Sequence, residues 1–208
     1  NFDEFQKANQ SGSELDDIRI KNFNIFQKKS FPSKKEESWK YTDLKRILYN
    51  NLNKLEVPNN KKTSQYNSEW LLKNFQHNQI ILVNGDFVSS TFSFEAKDKI
   101  KIIPLKTVLK DKKDFEKIRD SFNDQKNSLT SLNHALVNDG IFLEIEDNYS
   151  FNKPLVIYNF FNKSSENKII NNKCFISLGK NSKLNVLECY KAEDSIKYFN
   201  NTIHHYSI

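Results

Sequence analysis

Apolar residues recur at helical spacing through the first third of the chain and fall into short strand-like runs in the last third. Ser13 and Asp16 are placed to cap a helix whose apolar positions include Leu15, Ile18, Ile25 and Phe26. Ser33 and Glu36 have capping-box spacing with Pro32 just outside, which predicts a short helix there. Thr42 and Asp43 are strong N-cap types, and Leu44, Ile47, Leu48, Leu52 and Leu55 follow at helical intervals. Two helices joined near Tyr41 would aim Trp39 and Tyr41 into the corner between them. A polar loop, "VPNNKKTSQYNS", then leads to one or two helical turns in "EWLLKNF".

The pattern changes at "QIILVNGDFVSS". Strands over 80–83 and 86–88 joined by Asn84-Gly85 predict a hairpin, because a type I′ turn needs positive φ at both central residues. "KIKIIPL" predicts another strand. Helices are predicted over 109–123, with Phe115, Ile118 and Phe122 on one side, and around Leu129, Leu132 and Leu136. Asn138-Asp139-Gly140 stops the second of these. From Ile141 onward only strands are predicted: "IFLEI", "PLVIYNFF", "KIINNKCFISL", "KLNVLECY" and "IKYFNNTIHHYSI". Runs such as Cys174, Phe175, Ile176 and Leu178 are apolar on both sides of the alternation, as in strands covered on both faces or lining a narrow solenoid. The spacing is too irregular to define a repeat. The fold class is α+β, in three parts: a helical domain over 1–78, a mixed connecting region over 79–140 and a strand core over 141–208. No capping element follows the last strand, so edges near Phe199, Ile203 and Tyr206 are expected to be uncovered.

A chain of 208 residues can bury a real core, and no apolar run approaches membrane-spanning length. The N-terminus has neither the basic nor the apolar region of a secretion signal. The net charge of +6 raises nucleic-acid binding, but lysines and acids are interleaved almost everywhere, which reads as solvated surface. Two cysteines without C-x-x-C spacing argue against a disulfide framework. Cys174, Cys189, His204 and His205 are the soft or borderline ligand types of the strand region. Adjacent strand residues point to opposite faces, so His204 and His205 cannot serve one site, and the cysteines read as core. His134, between core leucines, reads as a structural or surface histidine. Glu144 and Glu146 share one solvent-facing strand face. Four glycines and no phosphate loop mean that any ATP hydrolysis must come from a partner.

The run "FPSKKEESWKYTDLKRIL" resembles the N-terminal signature of SufD, within the SufB/SufD family of iron–sulfur cluster assembly proteins of the SUF system, at Pro32, Glu37, Trp39, Tyr41 and Thr42. Further motifs follow in family order: Asn84 and Gly85 in "ILVNGDFV", then Leu132, Asn133, Ala135, Asp139 and Gly140 in "SLNHALVNDGIFLEI". "NKPLVIYNFF" comes next, and Glu188 lies in "ISLGKNSKLNVLECY". Ser30 departs from the pattern, which often has Gly before the aromatic-Pro pair. The resemblance implies a helical N-terminal domain followed by the first rungs of a right-handed parallel β-helix, truncated here to the N-terminal half of the family's chain. It implies a non-catalytic scaffold subunit, in the bacterial cytoplasm or alternatively a plastid-type stroma. That subunit would pair with a SufB-like paralogue and, through a C-terminal helical domain, with a SufC-like ATPase. Cofactors are implied only for the complex: a nascent iron–sulfur cluster, reduced flavin, and ATP on the ATPase. The family's interface metal-ligand candidates are expected beyond Ile208. The motif residues are therefore read as structural, with no catalytic, cofactor-binding or metal residue among them. Neither nucleic acid nor membrane is implied as a partner. Two other classes stay open. One is a β-solenoid enzyme acting on carbohydrate or acyl groups, which needs an acidic cluster or a catalytic histidine. The other is a basic nucleic-acid-binding module, which predicts salt-sensitive binding.

Overall fold

A computed structural model of the chain describes residues 2–52, 55–57, 65–123 and 127–208. Helix α1 (Phe2–Asn9), which the periodicity did not predict, buries Phe5 and stacks Phe2 on Phe23 of α2 (Glu14–Lys29) at 3.8 Å. Ser13 caps α2 by accepting from Leu15 N, and Asp16 reaches back to accept from Ser11 N and Gly12 N. The helix ends at Ser30, whose φ of 60° and ψ of −169° lie in a region held almost only by glycine. Ser30→Gly is therefore expected to stabilise the protein by about 1 kcal/mol. A higher urea midpoint at unchanged slope would register this, and a midpoint at or below the parent's would refute it.

The Ser33 capping box forms only in part. Ser33 N donates to Glu36 Oε1 at 3.1 Å, while Ser33 Oγ accepts from Lys35 N, and the helical element beyond them is a single 3-10 turn, Glu37–Trp39. So short a turn brings one aromatic, not two, toward the next helix. Trp39 is half-buried against Leu44, Leu48 and Leu52, whereas Tyr41 is 89% exposed with Lys40 Nζ 5.1 Å from its ring centroid. The expected packed corner thus holds Trp39 alone. Asp43 caps α3 (Leu44–Asn51), accepting from Arg46 N at 3.1 Å. The predicted continuation to Leu55 crosses residues 53 and 54, outside the described residues, as does most of the polar loop after Val57. "EWLLKNF" contributes one 3-10 turn, Ser68–Trp70.

Eight strands form two four-stranded sheets among the described residues. They are β1 (Asn78–Val83), β2 (Asp86–Thr91), β3 (Ile100–Pro104), β4 (Asp139–Ile145), β5 (Leu155–Phe161), β6 (Ile169–Leu178), β7 (Val186–Ala192) and β8 (Phe199–Ser207). One sheet runs β2-β1-β5-β7 and the other β3-β4-β6-β8. Only the β1–β2 and β3–β4 pairs are antiparallel. They sit at the same end of the strand order in the two sheets, and every later pair is parallel. From β4 to β8 the chain alternates between the sheets, and β6, β7 and β8 each lie beside the strand two earlier. Successive turns also stack: Asn148 and Asn181 both have positive φ, and Asn181 Nδ2 donates to Asn148 Oδ1.

The expected β1–β2 hairpin has its two-residue turn at Asn84 (φ 52°) and Gly85 (φ 85°). The helix predicted over 109–123 is divided. After α4 (Leu105–Val108), Asp111 caps α5 (Lys112–Ile118), and Arg119–Phe122 tightens into a 3-10 turn. Helix α6 (Ser128–Leu136) is capped by Asn127, which accepts from Thr130 N. Both faces of the β3-β4-β6-β8 sheet are covered, which accounts for the two-sided apolar runs. Cys174 and Ile176 pack into the cluster with β1 and β5, and Phe175 packs outward with Phe142, Phe115 and Phe122 under the helices. Among the described residues no helix is long and apolar enough to cross a membrane.

Candidate functional site

The residues singled out by the sequence fall in three places. In the first, Pro32 is buried, while Glu37 pairs with Lys40 at 2.6 Å on the surface and Thr42 is exposed. The second is the junction of α6 with the sheets. Leu132 and Ala135 are buried there, and Asn133, fully buried, donates through Nδ2 to Asn172 O (2.9 Å) and Asn201 O (2.6 Å). One amide thus ties α6 to β6 and β8 together. His134, expected as a structural or surface residue, is fully buried, 5.1 Å from the Phe122 ring centroid. The Asp139 carboxylate, 2% exposed, accepts from Phe87 N (3.1 Å) and Lys106 N (3.0 Å), which fixes β2 and the start of α4 onto β4. Gly140, at φ 140°, lies against Lys173 of β6. Asn84 joins the same region: it donates to Asn162 Oδ1 and Ser164 Oγ and accepts from Asn162 N, binding the hairpin turn to the turn after β5.

Two buried cations went unrecognised in the sequence. Arg19 donates to Asn9 O and Val137 O, spanning α1, α2 and the end of α6, and burial pulls its pKa down to about 10 against the charge of Asp16. Lys173, with no exposure, donates to Ser121 O at 2.8 Å and lies 3.9 Å from the Phe122 ring centroid. A lysine inside "NNKCFISL" carries no local signal of burial. Its burial comes from the helices laid over β6.

The third place holds titratable side chains at the last two strands. Glu188 of β7 and His204 of β8 meet across the two sheets, with Oε1 2.8 Å from Nε2. Tyr190 donates to Glu188 Oε2 at 2.5 Å. Burial pushes the Glu188 carboxyl up, but the bonds from His204 and Tyr190 outweigh it, and its pKa lies below the usual carboxylate value. Burial and the Glu188 carboxylate push the Tyr190 phenol well above its ordinary range. His205 turns to the opposite face and stacks on Phe175 at 4.9 Å, as strand alternation requires. The pairing of His204 with Glu188 depends on the relative register of two sheets, so no spacing along the chain announces it. An ionised carboxylate with imidazole and phenol partners can hold or relay a proton, but no activated nucleophile stands beside it among the described residues.

Both thiols are held protonated. Burial, then the Glu188 charge, raises the Cys174 pKa far above the usual thiol value, and burial also raises that of Cys189. At pH 8, iodoacetamide is therefore expected to label half-exposed Cys189 slowly and Cys174 only after unfolding. Labelling of both in the native protein at the rate of a free thiol would contradict this placement. Glu144 and Glu146 are held by Lys117 and Lys99 at 3.1 and 2.9 Å. Among the described residues no three His, Cys, Asp or Glu side chains converge as metal ligands.

The family model described as the SufBD protein N-terminal region matches residues 2–157, from α1 into β5 and short of Glu188 and His204. No curated protein matches the chain.

Proposed function

Because the chain belongs to the SufB/SufD family, and so to the proteins of iron–sulfur cluster assembly, we propose that it is a non-catalytic scaffold subunit of the SUF complex, of the SufD kind. The match over residues 2–157 carries the reading. The alternation of strands from β4 to β8 between two parallel-stacked sheets supports a parallel β-helix as the architecture being built. Protonated thiols and ion-paired strand glutamates suit a body that presents partners to one another, with no chemistry of its own. The partners are a SufB-like paralogue and a SufC-like ATPase. The ATPase supplies the ATP chemistry for which this chain has no phosphate loop. The nascent cluster is cargo, reduced flavin belongs to the complex, and the setting is the bacterial cytoplasm or a plastid-type stroma. Co-expression of the gene product with both partners, followed by affinity purification on the paralogue, tests this. A stable ternary complex is expected. Elution of the paralogue without this protein, with all three proteins folded, would overturn the proposal.

A further inference from the structure

Residues 65–77, just ahead of β1, lie as a strap over the face of β5 that carries Val156, Tyr158 and Phe160. Tyr66 and Trp70 pack on Phe160, with ring centroids 5.3 and 5.4 Å apart. At one end Asn162 Nδ2 donates to Gln65 O, and at the other the strap is fastened through a buried histidine. His77 Nδ1 lies 2.5 Å from Phe75 O, and a carbonyl only accepts, so the ring proton sits on Nδ1. Nε2 is then a bare acceptor, and the Tyr158 hydroxyl donates to it at 2.7 Å. The phenol oxygen in turn accepts from Leu72 N at 3.1 Å. Each donor in this chain has one acceptor, and Tyr158 is fully buried.

We propose that His77 and Tyr158 form an acid-sensitive latch, which holds the strap closed while the imidazole is neutral and loosens it on protonation. A proton on Nε2 turns the acceptor into a donor that faces the Tyr158 hydroxyl. The phenol hydrogen must then turn away within a cluster of Ile81, Val83, Val156 and Phe160, whose side chains accept nothing. A buried donor left unpaired carries the full desolvation penalty, and lifting the strap relieves it by letting in water. The other groups nearby do not compensate. Burial keeps the Tyr158 phenol and, beside it on β7, the Cys189 thiol protonated. Glu69 and Lys73 of the strap pair with each other at the surface. Burial raises the Glu95 carboxyl, but bonds from Asn152 N, Asn78 Nδ2, Tyr149 and Lys153 N outweigh it, and its pKa lies below the usual value. Neither the phenol, the thiol nor Glu95 changes charge between about pH 7.5 and 5.5, the interval in which an imidazole ordinarily does. Acid therefore uncovers the Val156–Phe160 face of β5.

Two NMR measurements on the folded chain test the latch. The imidazole ¹⁵N shifts of His77 at neutral pH should be those of the Nδ1–H tautomer, and the Nε2–H tautomer would overturn it. The protection factor of the Leu72 amide, corrected for the intrinsic pH dependence of exchange, should fall about tenfold from pH 7.5 to 5.5. An unchanged value would overturn the proposal. His77→Gln supplies an amide oxygen as acceptor that takes no proton in this range, so its Leu72 protection should not depend on pH. The same fall in that variant would show that His77 is not the sensor. If His77→Gln does not fold, Tyr158→Phe decides. Without the hydroxyl, Leu72 should be weakly protected at both pH values, and a retained tenfold fall would overturn the latch.

Discussion

Gly140→Ala should remove a large share of the protein's stability. Gly140 sits at φ 140°, and a Cβ there would lie 2.0 Å from Lys173 O and 2.9 Å from Lys173 N, both backbone atoms of the paired strand. No rotamer relieves such a contact, because the obstructing atoms are the β4–β6 ladder itself. The cost should exceed about 4 kcal/mol, a large share of the roughly 5–15 kcal/mol that holds a typical domain folded. Gly12→Ala is the control: it also replaces a positive-φ glycine (φ 66°), but nothing lies within 4 Å of its Cβ, and it should cost only about 1 kcal/mol. Circular dichroism and urea unfolding of the two variants decide the matter. A Gly140→Ala protein that unfolds near the parent's midpoint would mean that β4 and β6 can separate without loss of the fold.

Asp139→Ala is expected to be nearly as damaging, by a different route. It leaves Phe87 N and Lys106 N without their buried acceptor, at about 1–3 kcal/mol for each stranded donor, or roughly 2–6 kcal/mol together. Asp139→Asn keeps one of the two acceptor oxygens, satisfies one of the two donors and should cost less than the Ala variant. Chemical denaturation gives both values. The proposed role of Asp139 as the pin of β2 and α4 fails if Ala and Asn variants are equally stable, or if either lies within about 0.5 kcal/mol of the parent, the range of ordinary surface substitutions.

What the sequence revealed divides by the range of the interactions concerned. The caps Ser13 and Asp43 and the Asn84-Gly85 turn are decided by residues within a few positions of one another, and these were readable. Helix α1 was not, since only Phe2 and Phe5 mark its inner side and their partners, Phe23 and Leu136 among them, lie far along the chain. Tyr41 is exposed where the spacing predicts a packed corner, because spacing alone does not separate a 3-10 turn from a full helix, and the difference rotates one side chain into solvent. The motif residues Asn133, Asp139 and Gly140 could be located, but the carbonyls and amides they serve on β2, α4, β6 and β8 could not. Glu188 with His204, and Lys173 with Ser121, exist only once two sheets and their helices are assembled.

The strand order also sets a timetable for synthesis. Asn78 of β1 faces Leu155 of β5, so the first hairpin waits for about 77 further residues before its parallel neighbour exists. A two-stranded hairpin alone is marginal in water. At about 5–20 residues per second, that wait is roughly 4–15 s. Later strands wait far less: Asp139 faces Asn172, Leu155 faces Val186 and Ile169 faces Phe199, and each partner leaves the ribosome about 2–7 s behind. The hairpin made first is therefore docked late and stays open to chaperones longest, whereas each strand from β6 onward is delivered to an edge that has just been formed.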